Sequence, residues 1–147
     1  MATVKGVNKT KIDAGGLSNK ISQGYIDGRV KTFFDQYEFA GELLATVVEV
    51  GPELPLGAKI LEVVLSTDDL GNNVTLIVGD AEDPNRYITS TDHGGGTVLT
   101  TRLNAPDGLG YEIDMTTAST PDNQILVTTA TAAATGTMNI EVKYTKD

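Results

Sequence analysis

The alternation of apolar and polar residues is clearest near the end of the chain. In segment 137–145, Met138, Ile140, Val142 and Tyr144 alternate with polar or small residues. Because successive side chains of a strand point to opposite faces, this pattern places the apolar set on one face. The segment therefore predicts a half-buried antiparallel strand.

Other short apolar stretches are bounded by turn residues in the same way. They are 30–39, 43–50, 59–66, 74–79, 97–103 and 111–116, with weaker signals at 86–89 and 125–129. Segment 74–79 is nearly all apolar, which predicts a central strand covered on both faces, whereas 86–89 predicts an edge strand. Residues 130–136 predict a loop or hairpin because Gly136 and Thr-rich flanks disfavour a helix.

The spacing of these segments indicates the fold class. Clusters of Gly, Asn, Asp and Pro separate the apolar stretches at intervals of roughly 10–15 residues, a pattern typical of sandwiches and barrels. We therefore predict an all-β fold, a jelly-roll-like antiparallel β-sandwich of about eight strands. This domain is expected to occupy residues 28–147.

The first 27 residues have a different pattern. They are rich in glycine, and their isolated apolar residues follow neither a 2-residue nor a 3.6-residue period. We therefore predict that residues 1–27 form an extended N-terminal arm that gains order by contact with a neighbour. The alternative is a tail that folds back onto its own body.

The charge is divided along the chain in a way that supports an arm. The 20 acidic and 11 basic residues give a net charge of −9, which argues against a nucleic-acid partner. Residues 1–31, however, carry six basic and two acidic side chains, net +4, which leaves −13 for the remainder. A basic segment on an acidic body is typical of an interaction segment.

The composition excludes several kinds of chemistry. With no Cys, the chain has no disulfide scaffold, thiolate metal site or cysteine nucleophile. The single histidine, His93, precedes three glycines, and we predict that it is exposed in a loop; no nucleophile elbow surrounds a serine. No apolar run reaches the roughly 18 residues that span a membrane. We therefore expect no enzymatic activity, no catalytic residues and no membrane partner.

Two acidic segments offer oxygen ligands for a hard cation. They are 68–73 and 80–85, and each combines carboxylates with at least one asparagine. Neither has the spacing of a known calcium loop, and acidic turn residues are usually simply solvated. We therefore predict no cofactor and no metal site, with these two loops as the candidates left open.

Two stretches carry a resemblance to a known family. One joins 4–11 (VKGVNKTK) to 27–31 (DGRVK), and the other joins 54–60 (LPLGAKI) to 68–71 (DDLG), 78–80 (VGD) and 86–88 (RYI). Together they resemble the small capsid decoration (cement) or auxiliary head proteins of tailed bacteriophages. The likeness covers roughly residues 4–90 and the closing strand. Its motifs mark turns and strand ends and contain no catalytic or metal-binding pattern.

The resemblance implies a passive structural role. The sandwich would lie on the outside of an icosahedral capsid, assembled in the bacterial host cytoplasm, and would stabilise the shell by bridging subunits of the major capsid protein. Self-association as a trimer or dimer is expected. The residues that we predict to bind the capsid or another subunit are Lys5, Val7, Lys9, Lys11, Ile12, Lys20, Ile21, Arg29 and Lys31.

Two alternatives remain open at this point. The chain can be another virion component, such as a head fibre base, a tail protein or a host-surface-binding protein. It can also be a carbohydrate- or calcium-binding β-sandwich module outside any virus.

Overall fold

The computed structural model describes residues 13–16, 29–43, 45–96, 99–115 and 121–146. Eight strands lie within these ranges. They are β1 (Val30–Glu42), β2 (Val47–Val50), β3 (Lys59–Thr67), β4 (Thr75–Gly79), β5 (Ile88–Asp92), β6 (Leu99–Arg102), β7 (Ile125–Ala130) and β8 (Ala134–Thr145).

The strands form two four-stranded antiparallel sheets. The first sheet has the order β1-β8-β3-β6 and the second has the order β2-β7-β4-β5. The first and last strands are neighbours in the first sheet, and the chain crosses repeatedly between the two sheets. This is the arrangement of a jelly roll. The predicted all-β jelly-roll sandwich is therefore confirmed.

The core lies between the two sheets and follows the alternation of the sequence. On β8, Met138, Ile140 and Val142 are each at most 1% exposed, and Leu76 and Val78 of β4 are fully buried in the same core. Apolar residues of period two on both inner faces bury one continuous core. The strand predicted at 137–145 is confirmed, and it begins three residues earlier than predicted, at the end of a short turn.

Segment 111–116 is not the strand that we predicted. Within the described residues it pairs only through a single bridge between Glu112 and Lys59. The carboxylate of Asp122 accepts a hydrogen bond from the N–H of Met115, which has a φ of 53°. This contact bends the backbone out of the extended conformation, so the apolar alternation is not continued by strand pairing.

The first half of segment 43–50 is also not a strand. Ala45 has a φ of 64° and donates its N–H to the carbonyl of Thr129, which makes a turn before β2 begins at Val47. The residues that follow pair with β7 as an extended strand. The β assignment of this segment is therefore right only for its second half.

The positions of β4 and β5 partly agree with the prediction. β4 lies inside the second sheet and β5 lies at its edge, starting two residues after the predicted start of 86–89. However, Thr75 and Ile77 of β4 are partly exposed while Leu76 is buried. The prediction that both faces of 74–79 are covered was wrong because the second sheet has no further layer among the described residues.

The predicted arm lies almost entirely outside the described residues. Only 13–16 of the range 1–27 are described, and these four residues are exposed. In the part of the chain that the structure describes, no helix is long and apolar enough to cross a membrane.

Candidate binding surface

The solvent-facing side of the first sheet carries a regular array of side chains. The register places Phe34 of β1 beside Glu141 of β8, Glu141 beside Val64 of β3, and Val64 beside Arg102 of β6. The next row places Lys143 of β8 between Thr32 of β1 and Glu62 of β3. We call this side of the sheet the outer face and define it by Val30, Thr32, Phe34, Glu62, Val64, Arg102, Glu141 and Lys143.

Ion pairs connect three strands of the outer face. Lys143 Nζ lies 2.8 Å from Glu62 Oε2 and 3.2 Å from Glu141 Oε1, and Arg102 also pairs with Glu62. The hydrogen bond from Lys143 lowers the pKa of Glu62, and the same bond raises the pKa of Lys143. Exposed pairs of this kind add little stability. Their main effect is to balance opposite charges across the face.

Three apolar side chains of this region are left in solvent. Phe34 is 75% exposed, Val30 is 58% exposed and Leu109 is 65% exposed. Phe34 borders a depression of about 190 Å³, and Val30 and Leu109 border a groove of about 390 Å³ that reaches Lys143 and Arg102. Exposed apolar residues beside concave surface are typical of protein interaction sites. The outer face is therefore the candidate binding surface.

Two of the predicted binding residues adjoin this surface. Arg29 immediately precedes β1, Lys31 is its second residue, and both are exposed. They flank Val30 in the sequence, and because successive side chains of a strand alternate between faces, Lys31 points to the side opposite Val30. The other predicted residues, Lys5, Val7, Lys9, Lys11, Ile12, Lys20 and Ile21, lie outside the described residues.

The sequence contained a signal for Phe34 that the prediction did not use. Phe33, Tyr37 and Phe39 share one parity along β1 and pack on or within the core. Phe34 has the opposite parity, so a period of two places its ring on the solvent side. Phe34 was included in the predicted strand 30–39 but was not selected as a binding residue.

The acidic segment 80–85 is a structural turn. The carboxylate of Asp80 is fully buried and accepts hydrogen bonds from the N–H groups of Glu82 and Asp83. Arg86 Nε lies 2.6 Å from Asp80 Oδ2. Both carboxylate oxygens of Asp80 are therefore engaged by donors of the chain itself.

The acidic segment 68–73 uses its carboxylates in a similar way. Asp68 accepts a hydrogen bond from the N–H of Thr137, and Asp69 accepts one from the N–H of Gly71. Among the residues that the structure describes, no group of three or more His, Cys, Asp or Glu side chains is placed to hold a metal ion.

His93 is not the exposed loop residue that we predicted. It follows β5 directly, is 0% exposed and donates its backbone N–H to the carbonyl of Val74. Its Nδ1 lies 2.8 Å from Thr67 Oγ1, and burial lowers the pKa of the imidazole to about 4. The prediction was wrong because pairing of β5 with β4 draws the residue beneath the sheet, despite its glycine-rich neighbourhood.

Comparison with known proteins gives matches in structure only. No protein-family model matches the chain, and no curated protein matches it. A chain of the cyanophage Pam1 capsid asymmetric unit is 27% identical with a TM-score of 0.68, and the likeness covers 83% of this chain and 88% of that one. A chain of the Ralstonia phage GP4 capsid is 20% identical with a TM-score of 0.59, covering 82% and 86%. The Tobacco streak virus coat protein dimer is 10% identical with a TM-score of 0.50, covering 86% and 89%.

These likenesses each cover more than four fifths of this chain and of the matched chain. At 20% and 10% identity, the Ralstonia phage and Tobacco streak virus structures show a shared fold alone. The cyanophage chain adds a higher identity over a similar share of the chain. The cyanophage likeness supports a viral, capsid-related structural protein and is consistent with a non-enzymatic role.

Proposed function

We propose that this protein is a decoration, or cement, protein that binds the outside of an icosahedral bacteriophage capsid. It stabilises the shell by bridging subunits of the major capsid protein and catalyses no reaction. The observation that carries this proposal is the likeness to a chain of the cyanophage Pam1 capsid asymmetric unit over 83% of this chain. The resemblance of the two sequence stretches to decoration proteins points in the same direction.

The charge distribution supports attachment through the N-terminal region. Residues 1–31 carry net +4, whereas the rest of the chain carries −13. Opposite charges steer two surfaces together and suppress wrong partners, so a basic segment favours contact with an acidic shell. Arg29 and Lys31 lie where this segment meets β1, on either side of the exposed Val30 in the sequence.

We further propose that residues 1–27 act as an extended arm and residues 28–147 as the sandwich that the arm attaches. A stable protein interface buries roughly 800 Å² on each partner. An arm supplies such an area by lying along a neighbour, and it gains order in doing so. The contacts are assigned to Lys5, Val7, Lys9, Lys11, Ile12, Lys20 and Ile21 together with Arg29 and Lys31.

Deleting residues 1–24 is expected to abolish binding to the shell and to leave the sandwich folded. The deletion removes four lysines of the basic segment and none of the eight strands. The measurement is occupancy on capsids that lack this protein, by co-sedimentation and quantitative gel analysis. Far-UV circular dichroism and the melting midpoint of the deleted chain serve as the folding control. Normal occupancy after the deletion would contradict the arm model.

The number of copies per particle separates decoration from other virion roles. A decoration protein covers the shell at many equivalent positions, whereas a head fibre base, tail protein or host-surface-binding protein is confined to a vertex or the tail. Cryo-electron microscopy of the particle, with the copy number measured against the major capsid protein, distinguishes these cases. Density at a single vertex would replace the decoration proposal with one of the alternatives.

A further inference from the structure

β1 is an edge strand with one long side unpaired. It contains 13 residues, and among the described residues it pairs only with β8. Within the described ranges, the side away from β8 therefore presents backbone N–H and C=O groups that no strand uses. Such an edge invites pairing with another chain, and proteins commonly block it with charges or bulges.

The C-terminal half of this edge is blocked by carboxylates of the chain itself. Asp35 Oδ1 accepts a hydrogen bond from the N–H of Gln36 at 2.8 Å, and Glu42 Oε2 accepts one from the N–H of Ala40 at 2.5 Å. A register shift between Ala40 and Glu42 bends the strand at the same end. An incoming strand would meet occupied N–H donors here, and its register would have to place a basic residue opposite Asp35.

Among the described residues, no hydrogen bond occupies the outward side of the N-terminal half of this edge. Backbone groups of alternate residues point to the same side of a strand, so Val30, Thr32 and Phe34 share the outward direction of Gln36. Val30 and Phe34 are also 58% and 75% exposed on the outer face. Residues 30–34 therefore carry both the outward backbone groups and the exposed apolar side chains.

We propose that this half of β1 pairs in antiparallel fashion with the same segment of a second copy of this chain, on a two-fold axis at Thr32. In this register Val30 lies opposite Phe34 of the second copy, and the two apolar side chains cover each other on the outer face. The same register places Arg29 opposite Asp35 of the second copy. Two such basic–acidic pairs form, one on each side of the axis, and this charge complementarity selects the second copy as the occupant.

The pairing joins the first sheets of two copies into one continuous eight-stranded sheet. Because the same residues meet on both sides, the interface is isologous and closes at two subunits. The proposal concerns purified protein in solution and does not depend on the capsid function proposed above. A failure of one is therefore distinguishable from a failure of the other.

Disulfide trapping tests the register directly, since the chain contains no Cys. Thr32→Cys places two thiols opposite each other, and the Cα separation of roughly 5.5 Å in such a pair is within the range that a disulfide spans. The matched control is Thr100→Cys, an exposed residue of β6 at the other edge of the same sheet. Mild oxidation is expected to convert Thr32→Cys, and not Thr100→Cys, to a covalent dimer on a non-reducing gel.

Sedimentation equilibrium of the full chain supplies the second readout. The unmodified protein is expected at twice its 15.5 kDa mass. Thr32→Pro removes an N–H that β8 does not use, which an edge strand tolerates, but it deletes two bonds across the axis. We expect the dissociation constant to rise roughly tenfold or more. A monomer at all concentrations, a trimer in which Thr32→Cys does not cross-link, or equal cross-linking of Thr100→Cys would each overturn the proposal.

Discussion

Replacing Arg86 with alanine is expected to lower the free energy of unfolding by about 3–5 kcal/mol, because it leaves the buried carboxylate of Asp80 without its cation. Asp80 is 0% exposed and the Arg86 side chain is 11% exposed, so water cannot take over the role of the guanidinium. The guanidinium carbon also lies 3.8 Å from the centre of the Tyr111 ring, and this cation–π contact is lost as well.

The loss is expected to spread beyond one ion pair because Tyr111 belongs to the same cluster. Its hydroxyl donates a hydrogen bond to Asp122 Oδ2 at 2.7 Å. Burial is the larger cause, and this hydrogen bond the second, of a raised pKa for Tyr111. Asp122 in turn accepts the N–H of Asp114 at 2.9 Å. Arg86 therefore connects the turn after β4 to the segment before β7, and removing it loosens both.

Thermal or urea unfolding of Arg86→Ala measures this effect, with a fall in melting midpoint of roughly 10–20 °C. The matched control is Arg102→Ala, which removes an arginine that is 67% exposed and whose partner is Glu62. An exposed pair contributes less than about 1 kcal/mol, so this variant is expected to melt almost as the unmodified protein does. Equal losses in the two variants would contradict the assignment of Arg86 as the partner of a buried charge.

A double variant separates the buried charge from the lost packing. Arg86→Met combined with Asp80→Asn removes both charges and keeps an apolar side chain near Tyr111. Replacing both members of a buried pair costs less than removing one. The double variant is therefore expected to be more stable than Arg86→Ala. If it is less stable, the penalty arises from packing rather than from an unpaired carboxylate.

The fold was predictable because its core strands follow local alternation. The buried residues of β8 were recognisable from a period of two, and turn residues marked the ends of most strands. The errors lie where a distant group decides the backbone. Ala45 is no turn signal in itself, and Thr129, which holds its N–H, is far along the chain. The bend after Ile113 likewise depends on Asp122.

The candidate surface was less predictable than the fold for a related reason. Alternation places Phe34 on the solvent side, but it does not say which strand lies at the edge of a sheet. That position depends on long-range pairing of β1 with β8 and on the absence of a further strand among the described residues. The burial of His93 has the same origin, since it follows from the pairing of β4 with β5.

His93 leads to the second large effect, a loss of stability in mild acid. Burial lowers the pKa of the imidazole to about 4, from an ordinary value of 6.5 in the unfolded chain, while the neighbouring Asp92 acts in the opposite direction. Between these two values the unfolded chain binds a proton that the folded chain does not. The free energy of unfolding is therefore unaffected by the titration of His93 above pH 6.5. It falls by about 3 kcal/mol as the pH is lowered from 6.5 to 4.

The variant His93→Asn isolates this contribution. An asparagine amide can occupy the position of Nδ1 beside Thr67 but does not titrate. Between pH 6.5 and 4, the free energy of unfolding of the variant is therefore expected to lack the pH dependence that His93 contributes. The cavity that it leaves lowers its stability at pH 7, and only the slope with pH is compared. Carboxylates whose pKa is lowered in the folded state, such as Asp122, also reduce the stability of the protein as the pH falls, mainly at still lower pH. This contribution is the same in both proteins, so it cancels when their stabilities are subtracted. Parallel urea-unfolding curves at pH 7, 5.5 and 4.5 give the measurement. If the two proteins lose stability equally across this range, protonation of the imidazole does not destabilise the folded chain. The pKa of His93 would then not be lowered by burial as described above.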